Sequence, residues 1–419
     1  MLTDRFEADY LLETPLDPAR AAETMAGEQS SGTFVAIPGE TPELKARASA
    51  RVVALDILER DVPGRSLPSN VAPSPGERVT RARVTLSWPL ATIGPSLPNL
   101  LATVAGNLFE LKCASGLRIL DIRLPAAFAE AYPGPCFGVA GTRRLAGVEG
   151  RPLIGTIIKP SVGLDPAATA ALVDELCGAG IDFIKDDELQ SDGPACPFDQ
   201  RVAAVMAVIE RHADRTGRKP MFAFNLTGDL DQMRRRHDTL LAHGATCLMA
   251  SLNSVGLVGM IELRRFAQLP IHAHRNGWGY LSRHPMLGWS YVAWQKLWRL
   301  AGADHMHVNG LSNKFSETDE SVIASARECL TPMFADKPCT VMPVFSSGQT
   351  VRQAHGTYAA LGSTDLLMTA GGGVMAHPDG VAAGVRSLRE AWAAAIAGIP
   401  LAEHARTHPE LGRALEIAA

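Results

Sequence analysis

The fold can be inferred outward from residues 152–188, which read PLIGTIIKPSVGLDPAATAALVDELCGAGIDFIKDDE. This segment begins with a short apolar and β-branched run, continues with a helical pattern and returns to a second run of the β type. Asp165 and Pro166 are typical of the first turn of a helix, and Gly178 is typical of its end. The segment therefore predicts a strand–helix–strand unit.

The same alternation continues along the chain, with successive β-type runs about 24 to 39 residues apart, as strand-plus-helix units require. Eight consecutive units predict a closed parallel (β/α)₈ TIM barrel of the α/β class, because closure removes both edges of the sheet. A doubly wound open sheet is the alternative. The predicted strands lie at residues 152–160, 182–188, 221–228, 247–254, 271–277, 304–310, 340–348 and 365–373.

The first third of the chain lacks this regular alternation of strand and helix patterns. Short β-type runs, such as residues 81–86 (RARVTL), alternate with segments rich in proline, glycine and serine. Residues 131–135 (AYPGP) are typical of a domain boundary. We therefore expect a smaller α+β domain over residues 1–135, and the barrel with C-terminal helices over residues 136–419.

Composition disfavours several classes of protein. The chain has 419 residues, 46% of them hydrophobic and 20% charged, with a net charge of -4 and no basic stripe, so nucleic acid is not an expected partner. No apolar run reaches the roughly 18 residues of a membrane span, and the N-terminus lacks the pattern of a secretory signal. The seven cysteines are scattered without a C-x-x-C pair, so we expect reduced thiols and a cytoplasmic chain.

Polar and small residues collect at the ends of the predicted strands. In a (β/α)₈ barrel the carboxyl ends of all eight strands meet on one face, and functional side chains cluster there. The pattern therefore predicts a single site. Its candidate residues are Lys159, Lys185 to Glu188, Asn225, His272 to Arg275, Asp304 to His307, Ser346 to Gly348 and Gly371 to Gly373.

The run Lys185-Asp186-Asp187-Glu188 predicts a Mg²⁺ site. On a strand Lys185 and Asp187 point the same way, and Glu188 at the strand end can join them. Two carboxylates are enough to begin an oxygen-ligated Mg²⁺ site, whereas a protonated lysine would oppose the cation. Lysine becomes a ligand only as an anion, such as the carbamate formed with CO₂. A solvated charge run is the alternative, which the position in the barrel disfavours.

The glycine-rich ends of the last two predicted strands indicate a phosphate site, because backbone N–H groups in such turns bind phosphate; a tight turn is the alternative. Arg275 fits an anion clamp, because a guanidinium pairs with phosphate or carboxylate through two hydrogen bonds.

The two H-x-H motifs leave a zinc-dependent hydrolase as an alternative function. It is disfavoured because such enzymes carry paired histidines on the first strand, where this chain has Lys159. For any single histidine, a hydrogen-bonded packing role is the default.

Five segments resemble the large subunit of ribulose bisphosphate carboxylase (RuBisCO). The segment that carries its carbamylated lysine resembles residues 180–188 (GIDFIKDDE). The family's N-domain segment that reaches a neighbouring subunit resembles residues 28–34 (EQSSGTF), and its metal-proximal asparagine segment resembles residues 104–107 (VAGN). Its strand-one lysine motif resembles residues 155–160 (GTIIKP), and its flexible sixth loop resembles residues 307–314 (HVNGLSNK).

The resemblance implies a ferredoxin-like N-terminal domain and a role for each matching residue. The implied Mg²⁺ ligands are Lys185, as the carbamate, with Asp187 and Glu188. Lys159 would transfer protons, Lys314 would be a mobile loop cation, and His274 would be a further catalytic residue. One anionic end of a phosphorylated substrate would contact Arg275, His307 and Ser346; the other would contact Thr33, Gly348, Gly371 and Gly372. Glu28, Thr33 and Asn107 belong to the N-domain, which implies a composite site and at least a homodimer.

Departures from the family pattern indicate a RuBisCO-like protein that does not fix CO₂ on ribulose bisphosphate. The family's carboxylases have lysine where this chain has Ser161, tryptophan at Phe34, histidine at Trp278 and leucine at Phe315. Carboxylases that need a small subunit have a longer chain, so no small subunit is expected.

The members of the family share an enediolate intermediate that is stabilised next to a carbonyl, and they differ in the reaction that this intermediate then undergoes. The retained Lys314 and Lys159 favour loss of CO₂ from a β-keto acid, because decarboxylation needs a cation near the departing carboxylate and an acid for the enolate. We therefore expect decarboxylation of 3-oxo-isoapionate 4-phosphate. An isomerase or enolase of methylthio-pentose phosphates is the first alternative. A non-catalytic phosphosugar-binding barrel is a remote one.

Overall fold

The structure is a computed structural model that describes residues 4–32, 37–64 and 77–417. The chain forms two compact units. The first comprises Met1–Pro133 and Gly277–Leu300, and the second comprises Gly134–Asn276 and Ala301–Ala419.

The first unit contains a five-stranded sheet in the order β10-β4-β1-β3-β2, antiparallel except for the parallel pair of β10 and β4. Its strands are β1 (Arg5–Thr14), β2 (Arg51–Pro63), β3 (Arg78–Pro89), β4 (Gly116–Arg123) and β10 (Leu287–Trp289). The strand predicted at residues 81–86 lies within β3 and is confirmed. Helices of this unit are α1 (Pro18–Glu28), α2 (Pro42–Ala48), α3 (Leu97–Val104), α4 (Ala127–Ala131), α10 (Trp278–Ser282) and α11 (Tyr291–Ala301).

The second unit is a closed barrel of eight parallel strands, in the cyclic order β11-β12-β13-β5-β6-β7-β8-β9. All eight predicted strands are confirmed, and closure excludes the doubly wound sheet. Val148 and the barrel strands share one buried cluster, which includes Leu153, Phe183 and Met249. The strands are β5 (Leu153–Ile157), β6 (Phe183–Lys185), β7 (Met221–Asn225), β8 (Cys247–Ser251), β9 (Ile271–His274), β11 (His305–His307), β12 (Met342–Phe345) and β13 (Leu367–Thr369).

The first barrel helix begins and ends where the sequence predicts. It is α6 (Pro166–Gly178), and the carboxylate of Asp165 accepts a hydrogen bond from the backbone N–H of Ala168 at 2.7 Å. The other helices of this unit are α5 (Gly138–Ala146), α7 (Phe198–Thr216), α8 (Leu230–Ala242), α9 (Leu252–Phe266, interrupted at Gly256), α12 (Asp319–Leu330), α13 (Ala354–Leu361), α14 (Gly371–Met375), α15 (Val381–Ala397), α16 (Leu401–His404) and α17 (Pro409–Glu416).

Within the described ranges, no helix is both long enough and apolar enough to cross a membrane. All seven cysteines are unbonded thiols, of which Cys136 is exposed and the other six are buried.

Candidate active site at the carboxyl ends of the barrel strands

The acidic run at the end of β6 divides between two sides of the strand. Asp186 is fully buried, and its carboxylate accepts hydrogen bonds from the Arg201 guanidinium at 3.1 Å and from the Asn225 backbone N–H at 2.9 Å. β6 ends at Lys185, and the side chains of Lys185 and Asp187 make other contacts, with Glu188 and Lys159 respectively. Asp186 therefore ties β6 to α7 and β7, while its two neighbours remain for the site.

Lys185 and Glu188 form the centre of the site. The Lys185 amine is 1% exposed, donates a hydrogen bond to the Asp186 carbonyl at 2.7 Å and lies 3.6 Å from a Glu188 carboxylate oxygen. Burial lowers the pKa of Lys185 and outweighs the opposing effect of Glu188 and Asp187. A lowered pKa favours the neutral amine, which is the form that reacts with CO₂. Among the residues that the structure describes, no three His, Cys, Asp or Glu side chains form a group that could hold a metal ion.

Lys159 is tied to the second carboxylate of the site. It follows β5, and its amine donates hydrogen bonds to Asp187 at 2.7 Å and to the Ser161 hydroxyl at 2.6 Å. Burial raises the pKa of Asp187, but the hydrogen bond from Lys159 prevails, so the net shift is downward. Ser161 and Asp187 thus hold the Lys159 amine between them.

His274 joins the site from the end of β9. Its Nε2 lies 3.4 Å from a Glu188 oxygen, and its Nδ1 accepts a hydrogen bond from the Asn276 backbone N–H at 3.2 Å. The same Nδ1 lies 3.2 Å from the Asn276 side-chain oxygen, so Asn276 holds the ring whichever nitrogen carries the proton. Burial, followed by the charge of Lys185, lowers the pKa of His274 to about 4.

Arg275 has an acidic partner that the sequence did not indicate. Its guanidinium contacts Glu317 at 2.5 Å, and the Asn309 amide donates a hydrogen bond to the same carboxylate oxygen at 2.7 Å. Arg275 is 6% exposed, so the pair is largely removed from water. No local pattern could have identified Glu317, because it precedes α12 and lies 42 residues after Arg275.

The ends of β11 and β12 bring His307, Ser346 and Gly348 together. His307 Nδ1 lies 3.1 Å from the Ser346 hydroxyl. The next residue, Ser347, has a φ of 70°, which lies in the left-handed region that residues other than glycine rarely adopt. Its hydroxyl donates to the Asn309 side-chain oxygen at 2.8 Å, which stabilises this turn beside Gly348.

Gly371 and Gly372 begin α14, directly after β13. A Cβ atom added at Gly371 would lie 3.8 Å from Lys159 Cε, so this backbone is adjacent to the Lys159 side chain. A Cβ added at Gly372 would meet nothing within 4 Å. The two glycines therefore leave space beside Lys159.

Lys314 lies on the loop after β11, beside the turn that contains Ser347 and Gly348. Its backbone N–H donates to the Ser347 carbonyl at 3.3 Å, and a Cβ atom added at Gly348 would lie 3.8 Å from Lys314 Cβ. Its side chain is exposed, and its amine lies 5.3 Å from the centre of the Phe315 ring. Glu28 and Asn107 lie in the first unit, where their side chains are 3.5 Å apart. Thr33, with its neighbour Phe34, lies outside the described residues.

Two family models divide the chain between them. The N-terminal domain of the ribulose bisphosphate carboxylase large chain matches residues 12–128, and the catalytic domain of the same protein matches residues 138–418. The chain belongs to the RuBisCO large-chain family. The RuBisCO fold explains why a closed barrel and a separate mixed sheet occur in one chain.

Individual RuBisCO-like relatives narrow this assignment. A protein of Xanthobacter autotrophicus named 3-oxo-isoapionate-4-phosphate transcarboxylase/hydrolase is 61% identical over 99% of each chain. A Rhizobium etli protein named 3-oxo-isoapionate-4-phosphate decarboxylase is 46% identical over 97% of each. The structure of a RuBisCO-like protein from Burkholderia fungorum has a TM-score of 0.92 at 51% identity, covering 99% of this chain and 100% of its own. The chain is thus a RuBisCO-like enzyme, and the names of these relatives indicate that its enzyme class is lyase.

Proposed function

We propose that the chain is a lyase that acts on 3-oxo-isoapionate 4-phosphate and breaks the bond to its carboxyl carbon. The observation that carries the proposal is that two relatives, at 61% and 46% identity over nearly the whole chain, are named for this one substrate. The isomerase and the non-catalytic barrel have no comparable support.

The proposed cofactor is Mg²⁺, held by the carbamate of Lys185 with Asp187 and Glu188. The residues fit this group, because a buried amine with a lowered pKa lies 3.6 Å from one carboxylate and the other carboxylate follows two residues later in the chain. All donors would be anionic oxygens, which Mg²⁺ prefers. When bound, Mg²⁺ would supply Lewis-acid polarisation of the substrate carbonyl.

The chain's own side chains would handle the proton and the departing carboxylate. The bond between the carboxyl carbon and its neighbour breaks, CO₂ leaves, and the electron pair remains on the substrate as an enolate. Lys159, held by Asp187 and Ser161, is positioned to donate a proton to the carbon that lost CO₂. Lys314, on its exposed loop, is the cation proposed to face the carboxylate when the loop meets substrate.

The enolate has two possible fates, and the comparisons favour one. Protonation completes a simple decarboxylation, the outcome that the sequence predicts. Alternatively the carbon that lost CO₂ is protonated, a proton is removed from the carbon on the other side of the carbonyl, and CO₂ adds to that second carbon; water then cleaves the product, which amounts to transcarboxylation with hydrolysis. The 61% identity to a transcarboxylase/hydrolase, against 46% to a decarboxylase, favours the second fate.

We also propose that the division near residue 135 separates two domains of one composite site. Glu28 and Asn107, which lie together in the first unit, would then reach the barrel of a second copy. The expected assembly is a homodimer or a higher homo-oligomer without a small subunit.

The fate of the carboxyl carbon tests the proposal. The chain is incubated with Mg²⁺, unlabelled bicarbonate and substrate carrying ¹³C in its carboxyl group, in deuterated water. Simple decarboxylation releases all the label as CO₂ and leaves one deuterium on a product one carbon shorter. Transcarboxylation with hydrolysis leaves label in a carboxylate product and yields two organic fragments. Unchanged substrate, with turnover of a methylthio-ribulose phosphate instead, would refute the proposal in favour of the isomerase.

A further inference from the structure

Three buried imidazoles form a continuous hydrogen-bonded chain inside the barrel. It starts at Thr142 on α5, whose hydroxyl lies 2.8 Å from His305 Nε2. His305 Nδ1 lies 3.3 Å from His272 Nδ1, and His272 Nε2 lies 2.7 Å from His307 Nε2. The chain ends at Ser346, 3.1 Å from His307 Nδ1. We call these five residues the histidine chain.

Each ring of the histidine chain is neutral and therefore has one N–H and one bare nitrogen. His272 and His305 are fully buried and His307 is 4% exposed, and burial lowers the pKa of all three, that of His305 to about 3. Every nitrogen–nitrogen contact needs one donor and one acceptor, so the tautomer of one ring fixes the tautomer of the next. Only two arrangements of the whole chain are possible.

Thr142 selects between these arrangements. Its hydroxyl donates to the Gly138 carbonyl, four residues earlier in α5. The single hydroxyl proton is then used, so Thr142 can only accept from His305 Nε2. His305 Nδ1 is left bare and must accept from the Nδ1–H of His272.

The proton positions on His272 and His307 follow from that on His305. With its proton on Nδ1, His272 has a bare Nε2 that accepts from the Nε2–H of His307. His307 Nδ1 is then bare and accepts from the Ser346 hydroxyl. Both ring nitrogens of His307 and the proton of Ser346 are thereby engaged inside the protein, and the Ser346 oxygen presents lone pairs.

We propose that Thr142, His305 and His272 are positioning residues that fix the tautomer of His307 and the direction of the Ser346 hydroxyl. Thr142 lies on α5, His272 is the second residue of β9 and His305 is the first residue of β11, so they act through the hydrogen bonds of the histidine chain. In the opposite arrangement every ring would carry its proton on the other nitrogen, and Ser346 would be free to donate into the site. A threonine on α5 thus sets the hydrogen-bonding character of the active site.

The first test needs no substrate and is therefore independent of the proposed function. ¹⁵N NMR of histidine-labelled chain distinguishes protonated from bare ring nitrogens, and single His→Gln variants assign the signals. We expect protons on Nε2 of His305, Nδ1 of His272 and Nε2 of His307. Protons on the other nitrogen of each ring, or a charged ring at neutral pH, would overturn the proposal.

The second test changes the start of the histidine chain. Thr142→Val removes the acceptor for His305 and should give His307 both tautomers in the same ¹⁵N spectrum. Thr142→Ser should restore the single pattern. Thr169→Val is the matched control, because Thr169 is 2% exposed and donates to the Asp165 carbonyl four residues earlier at 2.8 Å. A Thr142→Val chain with one His307 tautomer would also overturn the proposal, as would a Thr169→Val chain with both.

Discussion

Asp182→Asn is expected to destabilise the barrel unit. Asp182 directly precedes β6, is 1% exposed and accepts hydrogen bonds from Arg151 at 2.6 and 2.9 Å, Arg218 at 3.0 Å and Arg389 at 3.1 Å. It also accepts from the Ile154 backbone N–H at 2.9 Å. Asparagine keeps the shape but has one acceptor oxygen and no charge, so at least one guanidinium loses its partner.

The loss of unfolding free energy in Asp182→Asn can be estimated from the burial of Asp182 and of its three arginine partners. Removing one partner of a buried ion pair costs about 3–5 kcal/mol. The three arginine side chains are 29%, 49% and 27% exposed and can regain water, which favours the lower value. With an unfolding entropy of about 2.1 cal/mol/K per residue over the roughly 260 residues of the second unit, a loss of about 3 kcal/mol lowers its Tm by about 5 °C.

Scanning calorimetry of the wild-type chain and two variants is the assay. Asp214→Asn is the control, because Asp214 is an exposed carboxylate on α7 and its replacement should change stability by less than about 0.5 kcal/mol. If the Asp182→Asn transition lies within about 1 °C of the control, the carboxylate does not stabilise the barrel as argued.

The effect should also depend on pH in one direction. Burial raises the pKa of Asp182, but its hydrogen bonds and the arginine charges prevail and lower it. Because the folded pKa lies below the unfolded value of about 3.9, the stabilisation is complete at higher pH and is lost as pH falls through the folded pKa. The difference in Tm between wild type and Asp182→Asn should therefore be constant at neutral pH and shrink in acid.

Three further predictions concern the site and the thiols. Asp187→Asn removes the carboxylate that holds Lys159, and turnover should fall at least about 100-fold in a steady-state assay, with Tm as the check on folding. Mg²⁺ added with bicarbonate should stabilise the wild-type chain by mass action, by about 2.7 kcal/mol at a Mg²⁺ concentration of 100 times Kd, and so raise its Tm. The Tm of Lys185→Ala should not change, and an equal rise in both chains would exclude Lys185 as the binding site. One thiol per native chain should react rapidly with a disulfide reagent, and Cys136→Ser should abolish this reaction, because the other six cysteines are buried.

The barrel could be predicted from the sequence because each of its units is encoded locally. The apolar run that forms β6, and the Asp165 cap and Pro166 of α6, are patterns within a few residues. Parallel strands of a closed barrel then bring their carboxyl ends together, which is why Lys159 could be expected near Asp187 without any knowledge of their contact.

Other features depend on contacts between distant segments. Glu317 reaches Arg275 across 42 residues of sequence, and β10 pairs with β4 although helices and five strands of the chain separate them. The order of the histidine chain depends on the Thr142 hydroxyl, and nothing in α5 marks that threonine as different from Thr169. Such pairings follow from packing in three dimensions, and residue type and spacing do not encode them.

The most direct test of the central claim is turnover of carboxyl-¹³C 3-oxo-isoapionate 4-phosphate by the wild-type chain and by Lys185→Ala, followed by ¹³C NMR in the presence of Mg²⁺ and bicarbonate. We expect the wild-type chain to break the bond to the labelled carbon. Lys185→Ala should leave this bond intact although its Tm shows that it is folded. Substrate that keeps this bond with the wild-type chain, or loses it equally fast with Lys185→Ala, would contradict the account.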